Sequence, residues 1–249
     1  MPQIVFHEAE RGFWNKNVRD YYLKKRKVPE AILRLIRGRV VADIPSLTGA
    51  VDLAELKQGD KWRRVLADLG EATASWYLET KKSVYLVKLR WVDFPLRIME
   101  GLDLMGYEPV AEEITVAESK VVNNPNPSST ASRLAEQLSR SRINAELDSP
   151  LNQYGSRVWL VEELLKHGII PEERVEELLT KAEYTRFGFL FHPPSARLPN
   201  YRQMSDKLEA EGLPVTFVDY TLADLEHEVE SFVEVLEIRK ELIGNAKSD

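Results

Sequence analysis

The sequence contains no cysteine. Disulfides, thiol nucleophiles and thiolate zinc sites are thereby excluded. It has no apolar run long enough to span a bilayer, so no membrane partner is expected. Its first residues, MPQIVFHEAER, place acids where a charged leader and an apolar stretch would stand. A soluble cytoplasmic protein is the expectation. Histidine is scarce. His7, His167, His192 and His227 are scattered, and none is paired at i, i+4 for a metal. Glycine is sparse as well, twelve in 249 residues, and forms no nucleotide fingerprint. The acid pairs Glu162–Glu163, Glu172–Glu173 and Glu176–Glu177 fall on predicted helices as solvated faces. No nuclease-type Asp/Glu cluster is seen on predicted strands, and Asp43 is the one acid in a suggestive place. Neither a metal nor a cofactor is expected.

What the sequence does have is segregated charge. Residues 1–40 carry ten Lys/Arg against four acids, a net +6 in a chain of net −6. The same segment holds Phe6, Phe13, Trp14, Tyr21 and Tyr22. Cations interleaved with π-faces suit phosphate contact and base stacking. Arg19, Lys24, Lys25, Arg26, Lys27, Arg34 and Arg37 are the candidate phosphate contacts, and Tyr21 and Tyr22 the candidate stacking rings. Lys24–Val28 (KKRKV) also fits a basic import signal, but its helical setting reads as a solvated face. The competing reading of the whole segment is a surface helix whose cations pair with the acidic remainder. Absent cysteine and 30% charged residues also match thermophilic composition.

The spacing predicts an α/β fold of two lobes. A basic helical segment occupies 1–39, one lobe 40–118, a linker 119–132, and a second lobe 133–249. Helices are expected over Trp14–Lys27, Glu30–Arg37, Lys61–Leu78 with one buried face, and Phe94–Met105 closed by Gly106. Strands are expected at Arg39–Ile44, Ser83–Val92 and Val110–Val116. Ser119–Ser132 is crowded with Asn, Pro and Ser and reads as the linker. Beyond it come helices at Leu134–Leu147, Arg157–Lys166 ending at Gly168, and Glu172–Lys181. Strand Arg186–Phe191, helix Tyr201–Glu211 and strand Pro214–Tyr220 read as a parallel βαβ unit. LDLMGYEPV (102–110) and LEAEGLPV (208–215) echo one another, which generic helix–strand loop chemistry explains as well as duplication does.

Two further sites are candidates. Parallel sheets bind ligands at the carboxyl ends of their strands. His192, Ser195, Arg197 and Asp219 fall there, joined by Arg90 and Asp93 if the strands share a sheet. His192 with Asp219 forms a candidate base and orienting carboxylate, and Ser195 or Arg197 a candidate anion contact. Two prolines setting a rigid turn are the plainer reading of the same residues. In the last helix, Leu222–Leu242, the residues Leu225, Val229, Phe232 and Leu236 repeat at seam spacing on an acidic background. They predict burial against the chain's own sheet or a second subunit, so a homo- or hetero-oligomer is a possible partner state. The function expected first is a nucleic-acid-binding accessory protein or subunit, not an enzyme. The alternatives are a small hydrolase or transferase acting on an anionic substrate near His192 and Asp219, and a scaffold that works through its C-terminal helix.

Overall fold

The computed structural model describes residues 3–25, 60–89, 102–122, 128–148, 156–180, 184–196, 208 and 215–234. The expected helix at Glu30–Arg37, the strand at Arg39–Ile44, most of the helices at Phe94–Met105 and Tyr201–Glu211, and Leu236 lie outside them.

The fold is a mixed α/β sheet of six strands. These are β1 (Gln3–Ala9), β2 (Tyr85–Leu89), β3 (Leu104–Glu108), β4 (Glu113–Val121), β5 (Tyr184–His192) and β6 (Val215–Leu222). Their order is β1-β6-β5-β4-β3-β2. β2, β3 and β4 form an antiparallel meander. β5 pairs parallel to β4, β6 to β5, and β1 to β6. Four parallel neighbours require covering on both faces. β5 (YTRFGFLFH) accordingly reads as an almost continuous apolar run and is buried at nearly every position.

Helices cover the two faces. On one side lie a short π-helical turn (Trp14–Val18), α1 (Arg19–Lys25), α2 (Asp60–Lys81) and α7 (residues 225–234). They pack on Phe187, Phe189 and Phe191. On the other side, α3 (Ser128–Gln137) covers the β5–β6 region with Leu134 and Leu138. α5 (Arg157–Lys166) and α6 (Val175–Thr180) cover β3 and β4. α4 (Arg140–Leu147) joins the latter core through Ile143 and Leu147. Among the described residues no helix is long and apolar enough to cross a membrane.

Several expectations hold. α5 has the predicted bounds, with Ser156 Oγ accepting from the Trp159 N–H at its start and Gly168 at φ +66° past its end. β5 and β6 pair parallel as their order implied. Leu225, Val229 and Phe232 are buried, and the chain itself covers them: Phe232 meets Trp14 at 5.2 Å and Tyr22 at 5.3 Å between ring centroids.

Others need correction. α2 is buried all round from Leu69 to Leu78, not on one face. The sheet, the N-terminal segment and α7 surround it, and small residues such as Gly70, Ala72, Ala74 and Ser75 permit the approach. Leu104 and Met105 belong to strand β3, not to a helix, and Gly106 does not stop one. A Cβ on Gly106 would sit 2.3 Å from the Tyr85 carbonyl oxygen, so glycine is required by the strand contact. Residues 102–110 therefore run through a strand into a turn and do not close a helix, and most of 208–215 lies outside the described residues. Val110 lies in that turn, and β4 starts at Glu113. Ser119–Val121 end β4 and 128–132 begin α3, so neither stretch is linker. Strands from both sides of the 119–132 segment share the one sheet. The expected helix Leu134–Leu147 is two helices, α3 and α4, broken at Leu138–Ser139.

Candidate active site at the strand ends

β3 and β4 form a hairpin in which Leu104 pairs with Ala117. Asp103, just before β3, is thereby brought against the carboxyl end of β4. There Glu118 and Lys120 alternate with Ser119, so their two side chains share one face. Asp103 and Glu118 are buried together. The Asp103 N–H donates to Glu118 Oε1 at 3.1 Å, and the Ser119 N–H donates to Asp103 Oδ2 at 3.0 Å. Lys120 Nζ lies 3.4 Å from Glu118 Oε2 and 4.0 Å from Asp103 Oδ2. The lysine keeps 27% of its side chain exposed, whereas the two carboxylates are at most 3% exposed. Burial, and then the like charge of Asp103, push the Glu118 carboxyl up to about 8, with Lys120 acting in the opposite sense. Near neutrality Glu118 therefore keeps its proton, and the charges of Asp103 and Lys120 oppose one another.

This acid cluster at the strand ends is what the sequence alone did not reveal. Asp103 fell inside an expected helix, and Glu118 fell at the edge of an expected linker. A legible signal was nevertheless present, since E-x-K inside an extended run places a carboxylate and an ammonium on one face. Among the described residues no group of three or more His, Cys, Asp and Glu side chains comes together as a metal cage.

Of the candidates at the same end of the sheet, His192 and Asp219 do meet. His192 Nε2 lies 2.8 Å from Asp219 Oδ1, and both residues are fully buried. The other ring nitrogen donates to the Pro193 carbonyl at 2.9 Å. An oxygen at each ring nitrogen favours the doubly protonated ring. Burial disfavours that charge, but the bond to Asp219 and then the Pro193 carbonyl outweigh it and raise the histidine's pKa. A ring with both nitrogens engaged and no exposed edge does not suit proton abstraction from a substrate. Ser195 is exposed on the turn that follows. Arg197, Arg90 and Asp93 lie outside the described residues.

The N-terminal segment divides differently from its expected roles. Trp14, Val18 and Tyr22, spaced four apart, form a fully buried stripe. Tyr22 is therefore a core ring, not a stacking platform. Tyr21 is half-buried near Glu79, and burial, then the charge of Glu79, pushes its phenol well up. Lys25 Nζ pairs with Glu79 Oε1 at 2.8 Å. Arg19 is half-buried and Lys24 exposed, while Arg26, Lys27, Arg34 and Arg37 lie outside the described residues. The segment is anchored by Glu228 of α7. Its carboxylate accepts from the N–H groups of Gly12 at 2.7 Å, Phe13 at 3.2 Å and Trp14 at 2.7 Å. Phe13 and Trp14 share the wall of a small cavity of about 10 Å³ with Val121 and Phe191. The basic segment thus starts at the carboxyl ends of β4 and β5, the end that carries the acid cluster.

No protein-family model matches this sequence, and no curated protein matches it at a significant level.

Proposed function

We propose that this chain is a divalent-cation-dependent hydrolase of phosphodiester bonds, with nucleic acid as its substrate. The observation that carries the reading is the buried Asp103–Glu118 pair with Lys120 beside it. A small hard cation such as Mg²⁺ is commonly held by one or two carboxylates and completes its shell with water and substrate phosphate oxygens. Two adjacent carboxylates, with only the Lys120 side chain reaching solvent, offer too few ligands for a closed cage and suit that arrangement better. A bound cation would supply Lewis acidity and a water of lowered pKa. Asp103 and Glu118 would hold it, and Lys120 would donate to a phosphoryl oxygen as negative charge builds there. Water adds to phosphorus, the P–O ester bond breaks, and the leaving oxygen takes up a proton.

The location agrees with this reading, because parallel strands present ligands at their carboxyl ends. In the same reading β5 and β6 belong to the expected βαβ unit. Lys24 and the further basic residues up to Arg37 would track the phosphate backbone away from the cut. The test is cleavage of labelled single- and double-stranded DNA and RNA with Mg²⁺ or Mn²⁺. The parent protein should cut at least one of them, and D103N and K120A should each lose about a hundredfold or more. No cleavage of any of the four, or full activity in D103N, would end the proposal. Salt-sensitive binding without cleavage would return the chain to a binding role.

A further inference from the structure

We propose that His192 and Asp219 form a latch that fixes the Pro193–Ala196 turn as one wall of the substrate cleft. His192 is thereby a positioning residue. The inference rests on the phosphodiesterase reading and assigns a substrate-holding element to that same site.

The register places the latch. Lys120 on β4 pairs with Leu190 on β5, and Leu190 pairs with Asp219 on β6. Asp219 and Lys120 therefore stand in one row across the sheet, two strand spacings or about 10 Å apart at Cα. They also share a face, since Gly188, two residues before Leu190, presents its α-carbon to Leu138 and Phe217 on the α3 side. The chain leaves β5 at His192, next to the end of β4, where the Val122 N–H donates to the Phe191 carbonyl at 2.8 Å. The turn begins at once. The Ala196 N–H closes it onto the Pro193 carbonyl at 3.0 Å. That same carbonyl accepts from His192 Nδ1 at 2.9 Å. One oxygen thus ties the turn to the ring, and the ring is tied to β6 by Asp219. Pro194 and Ser195 are left exposed at its tip.

The latch needs both ring protons. Among the described residues, the charged groups on the same sheet face are Arg186 on β5, which donates to the Leu138 and Leu208 carbonyls, Asp219 on β6, Glu118 and Lys120 on β4 with Asp103 opposite them, and Glu8 on β1, which shares a row with His192 through Thr221. α3 presents Leu134, Ala135 and Leu138 to the sheet and no charge. Asp219 is the one carboxylate bonded to the ring, so it sets the proton's hold. The raised pKa gives the sign. The latch is complete below the ordinary histidine value of 6.5 and is lost only as pH rises through the raised one. Replacing Asp219 by Asn keeps an acceptor but removes the charge, so burial should then release the proton at a lower pH.

The experiment measures kcat and KM for a cleaved oligonucleotide with Mg²⁺ between pH 5.5 and 8.5, for the parent, D219N and H192Q. In the parent, KM should stay level through neutrality. In D219N it should rise about tenfold from pH 5.5 to 8, with the change in KM and not in kcat. In H192Q, which cannot carry two ring protons, KM should be raised equally at every pH. A KM in both variants that equals the parent's throughout overturns the latch, as does a loss confined to kcat. If D219N does not fold, H192Q alone decides on the same terms. If the parent cuts nothing, the phosphodiesterase reading has failed and the substrate-holding role falls with it. If the parent cuts and D103N does not, a level KM in the latch variants refutes the latch alone.

Discussion

Replacing Glu118 by Gln should stabilise the protein, and increasingly so as pH rises. The folded chain holds the Glu118 proton up to about pH 8, whereas the ordinary value is 4.5. Between these two values the unfolded chain gives up a proton that the folded chain keeps. Stability therefore falls as pH rises through the window, is unaffected below it and is level above it. Integrated over that window, the loss is on the order of 3 to 5 kcal/mol. Gln carries no proton to lose and keeps an oxygen for the Asp103 N–H, so its stability should not follow this slope. The measurement is urea unfolding of parent and variant at pH 5, 6, 7 and 8, with EDTA present so that no cation contributes. The curves should nearly coincide at pH 5 and separate toward pH 8, with the parent lower. D103N provides an independent check, because removing the like charge should flatten the parent's slope in part. Parallel curves for parent and E118Q across the range would show that the two carboxylates do not oppose each other, and the cation-site argument would lose its electrostatic basis.

Glu228→Ala removes the acceptor of three N–H groups, that of Trp14 buried and those of Gly12 and Phe13 partly so, and should cost about 3 kcal/mol, read as a lower urea midpoint, while E228Q should lose less. Gly106→Ala should destabilise by about 2 kcal/mol or more through its contact with the Tyr85 carbonyl; a neutral thermal melt would mean that β2 yields. Lys24→Glu should weaken oligonucleotide binding and flatten its dependence on salt by up to about 0.9 log units per lost duplex phosphate contact, measured by anisotropy, with the melting temperature unchanged. Tyr22→Ala should instead cost about 3 to 5 kcal/mol, and an exposed-ring phenotype, weak binding with full stability, would contradict its burial.

How much was legible depended on how local the signal was. α5 was readable end to end because Ser156, the apolar spacing and Gly168 all lie within its own residues. The seam Leu225, Val229 and Phe232 was readable as buried from period alone, but the period could not say what buried it. Rings from residues 14 and 22 do so, more than two hundred residues away in sequence. The N-terminal aromatics illustrate the limit from the other side. Composition showed cations and rings together, yet helical spacing turns Trp14 and Tyr22 inward and Lys24 outward, and composition carries no direction. β3 was misread because its glycine, an ordinary helix stop, is there for a close strand contact with Tyr85.

The sequence by itself determined the α/β class, the parallel β5–β6 pair, the amphipathic helices and the absence of thiol chemistry. These follow from side-chain period and residue type, which act over a few positions. The tertiary structure alone decided the site. Asp103 and Glu118 stand fifteen residues apart in the chain, and each reads singly as an unremarkable acid. The hairpin register puts them side by side, and burial turns two ordinary carboxylates into a pair that retains a proton near neutrality. His192 and Asp219, by contrast, were already paired from the order of β5 and β6, and what the tertiary structure added was their burial and the engagement of both ring nitrogens. Register and burial are properties of strand pairing across the chain, and no local pattern encodes them.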